Sequence, residues 1–238
     1  MTTSWPFIGW CLSAVQCKTM TIHAISYARS ALPESMVLVG GDSKQKCSIT
    51  FLLYVIDTAD RRVLIDAGCD TMPGFQMEDF VSPAKALKDY GIEPSQITDV
   101  IITHAHHDHI DGLWHFPGTN VYIQAEEYSK GRKYIPETAR IHIFEEECVV
   151  ADRIRVKRVG GHSVGSSIAL VQAADVQYVF GGDECYLPVC LEKGIPTGAS
   201  HDLKMSQWFV THFATPGYRV LLSHDPKIKT GMIISERN

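Results

Sequence analysis

The sequence predicts a layered α/β fold, with sheets inside and helices outside. Three observations carry this. Short apolar, β-branched runs recur along the chain, separated by turn residues. Only a few segments carry helical start and stop signals or a 3.6-residue apolar period. A chain of 238 residues, 45% apolar and 21% charged, can also bury a sizeable core without covalent staples.

The elements follow in order. Residues 1–18 read as an N-terminal arm carrying Trp5, Phe7 and Trp10, suited to capping a pocket or a dimer interface, or to plain packing. Thr19 to Tyr27 alternates as a strand does. Ser48–Asp57, SITFLLYVID, is the continuous apolar run of a buried strand. The turn Thr58-Ala59-Asp60-Arg61 leads into Arg62–Asp66, and the two runs pair as a hairpin. Ser82-Pro83 opens a helix through Tyr90, and Gly91 stops it. Asp99–Thr103, DVIIT, is a short buried strand. A strand at Asn120–Gln124 and a helix from Ala125 to Tyr134 come next. Strands follow near Ile141–Phe144, Ile154–Val159, Ser167–Val171 and Val176–Phe180. A helix from His201 to Phe213 and a strand at Tyr218–Ser223 complete the set. Glu145–Glu147 reads as a solvated turn. No linker, repeat or low-complexity segment divides the chain, so residues 1–238 are read as one domain.

Composition narrows the function classes. A net charge of −5 and a pI near 6.1 argue against a nucleic-acid surface. The basic run Arg153–Arg158 alternates with Ile154 and Val156, as the wet face of a strand would. Seven cysteines without a CxxC pair suit a reduced, cytoplasmic chain. No apolar run reaches the roughly 18 residues of a membrane span. The N-terminus lacks the basic region and cleavage site of a signal peptide.

The chemistry gathers in THAHHDH, residues 103–109. Four of the six positions from 104 to 109 are histidine; the chain's own composition would place about 0.3 there. The stretch begins where the strand ending at Thr103 stops. Three further strand ends carry the same residue types: Gly160-Gly161-His162-Ser163, Gly181-Gly182-Asp183 and His224-Asp225. Loops at one edge of a sheet can converge side chains onto one point. Extended spacing puts His104 and His106 on one side, able to bind one metal together. The chain must turn by Asp108-His109, which suits a second, neighbouring metal. Imidazoles and carboxylates without thiolate fit zinc, iron, manganese or cobalt. Five histidines and two aspartates exceed one tetrahedral site and match two metals sharing a bridging carboxylate. A purely structural zinc site would be closed and thiolate-rich. Asp225 reads either as an orienting partner of a ligand or as a turn residue before Pro226.

His104-x-His106-x-Asp108-His109, then Gly161-His162-Ser163, Asp183 and His224, resembles the full ligand set of the metallo-β-lactamase-fold hydrolases. The resemblance runs in order from about Thr19 to Asp225. It implies a four-layer αββα sandwich, two mixed β-sheets flanked by helices, with a dinuclear site at one edge. It further implies that His104, His106 and His162 hold one metal, that Asp108, His109 and His224 hold the other, and that Asp183 bridges them.

Finer features are similar to the N-acyl-homoserine lactonase family. Asp183-Glu184-Cys185-Tyr186 places a tyrosine three residues after the bridging carboxylate, where that family's tyrosine faces the substrate carbonyl. GTNVYIQAEEY (118–128) and LSHDP (222–226) are also similar. Two positions depart from the family: Val164 stands where proline is common, and His107 where an apolar residue is common. In ideal alternation His107 points away from the metal of its neighbours, towards the mouth or the packing beneath.

The expected function is therefore a dinuclear hydrolase, with two divalent ions, zinc before iron, manganese or cobalt. Water activated between the ions attacks the carbonyl of a lactone, an N-acyl-homoserine lactone first. The first metal and the Tyr186 phenol stabilise the oxyanion. Asp108 or Asp183 passes a proton to the leaving alkoxide. The expected partner is a small-molecule ester or lactone, with no nucleic acid and no membrane span; a homodimer is compatible. The alternatives are a hydrolase of another lactone or a thioester, and, in another class, a metal-dependent binding protein without turnover.

Overall fold

The long apolar run at residues 48–57 is the axis of the molecule. The computed structural model describes residues 20–74, 76–173 and 176–236; the N-terminal arm with Trp5, Phe7 and Trp10 lies outside them. Strand β2 (Lys46–Asp57) contains that run. Its odd residues Phe51, Leu53 and Val55 enter one core, and its even residues Leu52, Tyr54 and Ile56 enter another. Period-two alternation therefore serves two apolar layers at once, which is why the run shows no polar face.

Strand β1 (Met20–Pro33) pairs antiparallel with β2 over its whole length, and so extends beyond the Tyr27 limit read from alternation alone. A register shift between Ser26 and Ala28 breaks the alternation there. The hairpin to β3 (Arg62–Ile65) forms as expected, its turn closed by the Arg61 N–H donating to Thr58 Oγ1 at 3.0 Å. Strands β4 (Asp99–Ile102), β5 (Asn120–Gln124) and β6 (Arg140–Phe144) add in parallel. Strand β12 (Gly231–Glu236) flanks β1, giving the order β12-β1-β2-β3-β4-β5-β6.

The second sheet has the order β11-β10-β9-β8-β7. Its strands are β7 (Glu147–Ala151), β8 (Ile154–Arg158), β9 (Ser167–Gln172), β10 (Gln177–Phe180) and β11 (Tyr218–Leu221). Both sheets are mixed. Ile154 and Val156 of β8 are buried between the sheets with Tyr54 and Ile101, while Arg155 and Lys157 face solvent, so the basic run is a wet strand face.

Helices cover the outer faces. α2 (Pro83–Tyr90) starts at Ser82, whose side chain accepts from the Lys85 N–H, and stops at Gly91 in the left-handed region. Its Ala86 and Leu87 join the core containing Leu53 and Val55. α6 (Leu203–Phe213) is capped by Asp202, whose carboxylate accepts from the N–H groups of Lys204 and Met205. Its Phe209, Val210 and Phe213 pack with Val179 and Leu222. The arrangement is the αββα sandwich. Among the described residues no helix is long and apolar enough to cross a membrane.

Several short elements have no sequence signal. They are α1 (Glu34–Val37), α3 (His107–Ile110), α5 (Pro188–Lys193), β7 and β12. Helices of four to six residues are too short to show a period. β7 is an edge strand with a single buried residue, Val150, so Glu147 begins a strand rather than completing a solvated turn. α4 (Ala125–Gly131) ends before Tyr134 and tightens into a 3₁₀ turn at Arg132–Tyr134.

The two sheets are stitched together at one edge. The Ser167 N–H donates to Thr103 O at 2.8 Å. On the other side, Thr50 N–H donates to His224 O at 3.2 Å and Leu52 N–H to Ser223 O at 3.1 Å. Strand ends from both sheets thus meet in one place.

Candidate metal centre

β4 stops at Ile102, one residue earlier than its sequence suggests, because Thr103 turns to a buried partner. The Thr103 N–H donates to Asp66 Oδ1 at 2.8 Å, and its hydroxyl donates to Asp66 Oδ2 at 2.9 Å. His104 and His106 then lie in a loop, and the single turn of α3 carries Asp108 and His109 round to a different side.

All seven residues singled out by sequence come together in two groups. In the first, His104 Nε2 and His162 Nε2 lie 3.0 and 2.9 Å from His106 Nδ1. Asp183 Oδ2 lies 3.8 Å from His104 Nε2 and 3.6 Å from His162 Nε2. In the second, His109 Nε2 and His224 Nε2 are each 3.6 Å from Asp108 Oδ2 and 3.1 Å from Asp183 Oδ1. The two oxygens of Asp183 therefore face different groups.

Electrostatics fit a cation in each group. His109 Nε2, His224 Nε2 and Asp183 Oδ1 are buried with no hydrogen-bond partner among the described residues. Three converging polar atoms left this way are costly unless something electropositive lies between them. Burial pulls His104 and His162 below the ordinary imidazole range, which favours the neutral, ligating form. Burial also opposes charge on His109 and His224, but Asp183 and its neighbouring carboxylates outweigh it and push both up. Conversely, His109 and His224 hold Asp183 well below the usual carboxylate range against its burial. The carboxylates demand positive charge here, which a divalent ion would supply.

Four of the five imidazoles, all but His106, are oriented from behind. His162 Nδ1 donates to Ala199 O at 2.6 Å, His224 Nδ1 to Thr50 O at 3.2 Å, and His109 Nδ1 to Asp66 Oδ2 at 2.7 Å. His104 Nδ1 donates to Thr103 Oγ1 at 3.1 Å. Such partners fix the tautomer that leaves Nε2 free for a metal.

Three buried carboxylates that the sequence reading missed hold this frame. Asp66, with φ at 58°, ties Thr103 to His109. Glu127 on α4 accepts from Ala105 N–H at 2.8 Å, Ser163 Oγ at 2.8 Å and Gly165 N–H at 2.9 Å, joining two ligand loops. Glu184 accepts from the N–H groups of Gly161 and His162; burial raises its carboxyl to about 7. Asp66 ends an apolar run before Ala67-Gly68, the same signal that marks Asp183. Glu127 sits inside a helix and gives no such signal. Packing here needs glycine: a Cβ at Gly161 would lie 2.2 Å from Glu184 Oε2.

A cavity of about 290 Å³ opens over the two groups, a size that suits a small molecule. Leu32, Met36, Ile49, Phe51 and Met72 make it apolar, and His106, Asp108, Asp183 and His224 form its polar floor. Tyr186 also lines it, stacked on His224 at 5.3 Å between ring centroids. Burial, then Asp183 and Asp108, push the Tyr186 phenol well above its ordinary range, so it stays a hydrogen-bond donor. A larger depression of about 430 Å³, lined by Lys157, Arg158, His201 and Trp208, touches none of the seven residues. Asp225 accepts from the Lys227 N–H at 2.8 Å, which is the turn role. Cys185 is a buried thiol donating to Leu187 O at 3.1 Å.

Comparison with known proteins agrees with this geometry. Residues 52–212, more than half of the chain, match the family model of the metallo-β-lactamase superfamily. A quorum-quenching N-acyl homoserine lactone lactonase superposes with a TM-score of 0.74, covering 87% of this chain and 92% of that one at 20% identity. The dizinc quorum-quenching lactonase AidC gives 0.71 over 87% and 88% at 15% identity. A probable metal-dependent hydrolase from Staphylococcus aureus gives 0.74 over 87% and 89% at 18% identity. At these identities the likeness is one of fold. The family match places the chain in the metallo-β-lactamase superfamily.

Proposed function

We propose that this protein is a dinuclear metallohydrolase that opens the lactone ring of N-acyl-homoserine lactones. The observation that carries the reading is Asp183, whose two oxygens face two separate groups of buried imidazoles. His104, His106 and His162 would hold one ion, and Asp108, His109 and His224 the other, with Asp183 placed to serve either group. The donor set favours zinc, with iron, manganese or cobalt as alternatives. Two divalent ions bound there supply Lewis-acid polarisation and a water acidic enough to serve as nucleophile near neutral pH.

The chain's own groups do the rest. Tyr186, kept protonated, donates to the oxygen of the carbonyl as negative charge develops on it. A carboxylate at the floor, Asp108 or Asp183, carries the proton that the departing alkoxide needs. The apolar wall of Leu32, Ile49 and Phe51 takes the acyl chain and keeps bulk water away. The product is the ring-opened hydroxy acid. The described cysteines are free thiols, which suits a reducing, cytoplasmic compartment.

A hydrolysis panel tests this reading. Zinc-, manganese- and iron-loaded protein is assayed on acyl-homoserine lactones, simple lactones, thioesters and β-lactams. Fastest opening of acyl-homoserine lactones is the expected result. Preference for thioesters over every lactone would overturn it.

A further inference from the structure

His107 is the imidazole of the THAHHDH stretch that belongs to neither ligand group. Its ring lines the cavity with Met72, while its two nitrogens are engaged away from the ligand groups. Nδ1 lies 3.2 Å from the Tyr134 hydroxyl, and Nε2 lies 3.5 Å from both Asp111 Oδ2 and Thr71 Oγ1. With the Nε2 proton lying between Thr71 Oγ1 and the Asp111 carboxylate, Nδ1 accepts from the phenol. Asp111 Oδ2 also accepts from the Asp70 N–H at 3.1 Å. Asp70 in turn accepts from Trp114 Nε1 at 2.9 Å and His115 Nε2 at 3.0 Å. The polar ties of Asp70 and Thr71 thus all run to α3 and the 3₁₀ turn after it, Asp111–His115.

Met72 follows directly, half buried, as part of the cavity wall. The other large aliphatic side chains of that wall, Leu32, Met36 and Ile49, stand on β1, α1 and β2. Met72 stands on a loop, and its position depends on what pins the two residues before it.

We propose that Asp70 and His107 are positioning residues that set the Met72 wall, and through it the length of acyl group the cavity accepts. The proposal rests on the lactonase reading above. Neither residue touches the reacting atoms. Their hydrogen bonds are partly solvent-exposed, with side chains 28% and 23% accessible, so loosening them moves the wall without unfolding the site.

The test compares Asp70→Ala, Met72→Ala, the double variant and His107→Phe, which keeps ring volume but loses both ring bonds. Substrates are unacylated homoserine lactone and its N-hexanoyl and N-decanoyl forms, with metal content measured throughout. Asp70→Ala should keep its metal and turn over the unacylated lactone within about two-fold of wild type. Its decanoyl-to-hexanoyl ratio of kcat/KM should rise about five-fold, through KM. Met72→Ala and His107→Phe should shift that ratio in the same direction, and the double variant no further than Met72→Ala alone. Amide exchange at residues 70–74 should accelerate in Asp70→Ala. An equal change on every substrate, additive effects in the double variant, or unchanged exchange would each overturn the proposal. Wild-type protein that cleaves thioesters but no lactone would overturn the lactonase reading instead, and the same ratio is then read on hexanoyl and decanoyl thioesters.

Discussion

At the scale of single residues, the site works because donors and acceptors are fixed before substrate arrives. Tyr186 is held as a phenol, and its ring is immobilised against His224. Tyr186→Phe should leave metal content intact and lower kcat about 10²-fold, the usual loss for one oxyanion donor; steady-state kinetics with metal analysis checks this. Asp66 acts one step further out, through His109 and Thr103. Asp66→Asn should weaken metal affinity about 10- to 100-fold, measured by competition with a chromophoric chelator. An unchanged affinity would leave Asp66 a purely structural residue. Gathering of the ligand residues was legible in the sequence because each ends an apolar run, and runs from one sheet edge must end together. Asp66 obeys the same rule but stands alone, without a histidine or a pair of glycines to draw attention.

At the scale of elements, α4 is more than a crossover between β5 and β6. It delivers Glu127 between the loop after β4 and the loop after β8. Burial alone would raise the Glu127 carboxyl. The Ala105 N–H, the Ser163 hydroxyl, the Gly165 N–H and Lys130 outweigh it, so the group sits below its ordinary value of 4.5. The sign follows from linkage. A carboxylate depressed in the folded state contributes stability that is complete above the unfolded value and lost as pH falls through the folded one. Glu127→Gln should therefore cost about 2 kcal/mol at neutral pH, and the difference from wild type should shrink as the pH drops below 4.5. Urea unfolding at both ends of that range measures it. A difference independent of pH would mean that shape, not charge, matters at this position. The hairpin, the Pro83 helix and the capped α6 are visible in sequence because each has its own local punctuation. α3 is not, since its single turn is shaped by Asp66 and the Ala67 N–H bond to His109 O at 2.8 Å, both distant in sequence.

At the scale of the whole molecule, two sheets share one core and close on one edge, and that edge holds buried imidazoles and carboxylates whose converging atoms lack hydrogen-bond partners among the described residues. The layered fold could be read from alternating and continuous apolar runs; the β12-to-β1 pairing could not, because it joins the two ends of the described chain. If two ions complete the edge, they stabilise the folded state by mass action. Removing them with a chelator should lower Tm by roughly 20 °C, for two ions each present at about 1,000-fold over its dissociation constant. The same claim has a sharper measure. Zinc titrated into metal-free protein, with lactone opening followed at each addition, should restore activity to a plateau at about two equivalents per chain. Full activity at one equivalent or fewer would contradict the dinuclear site.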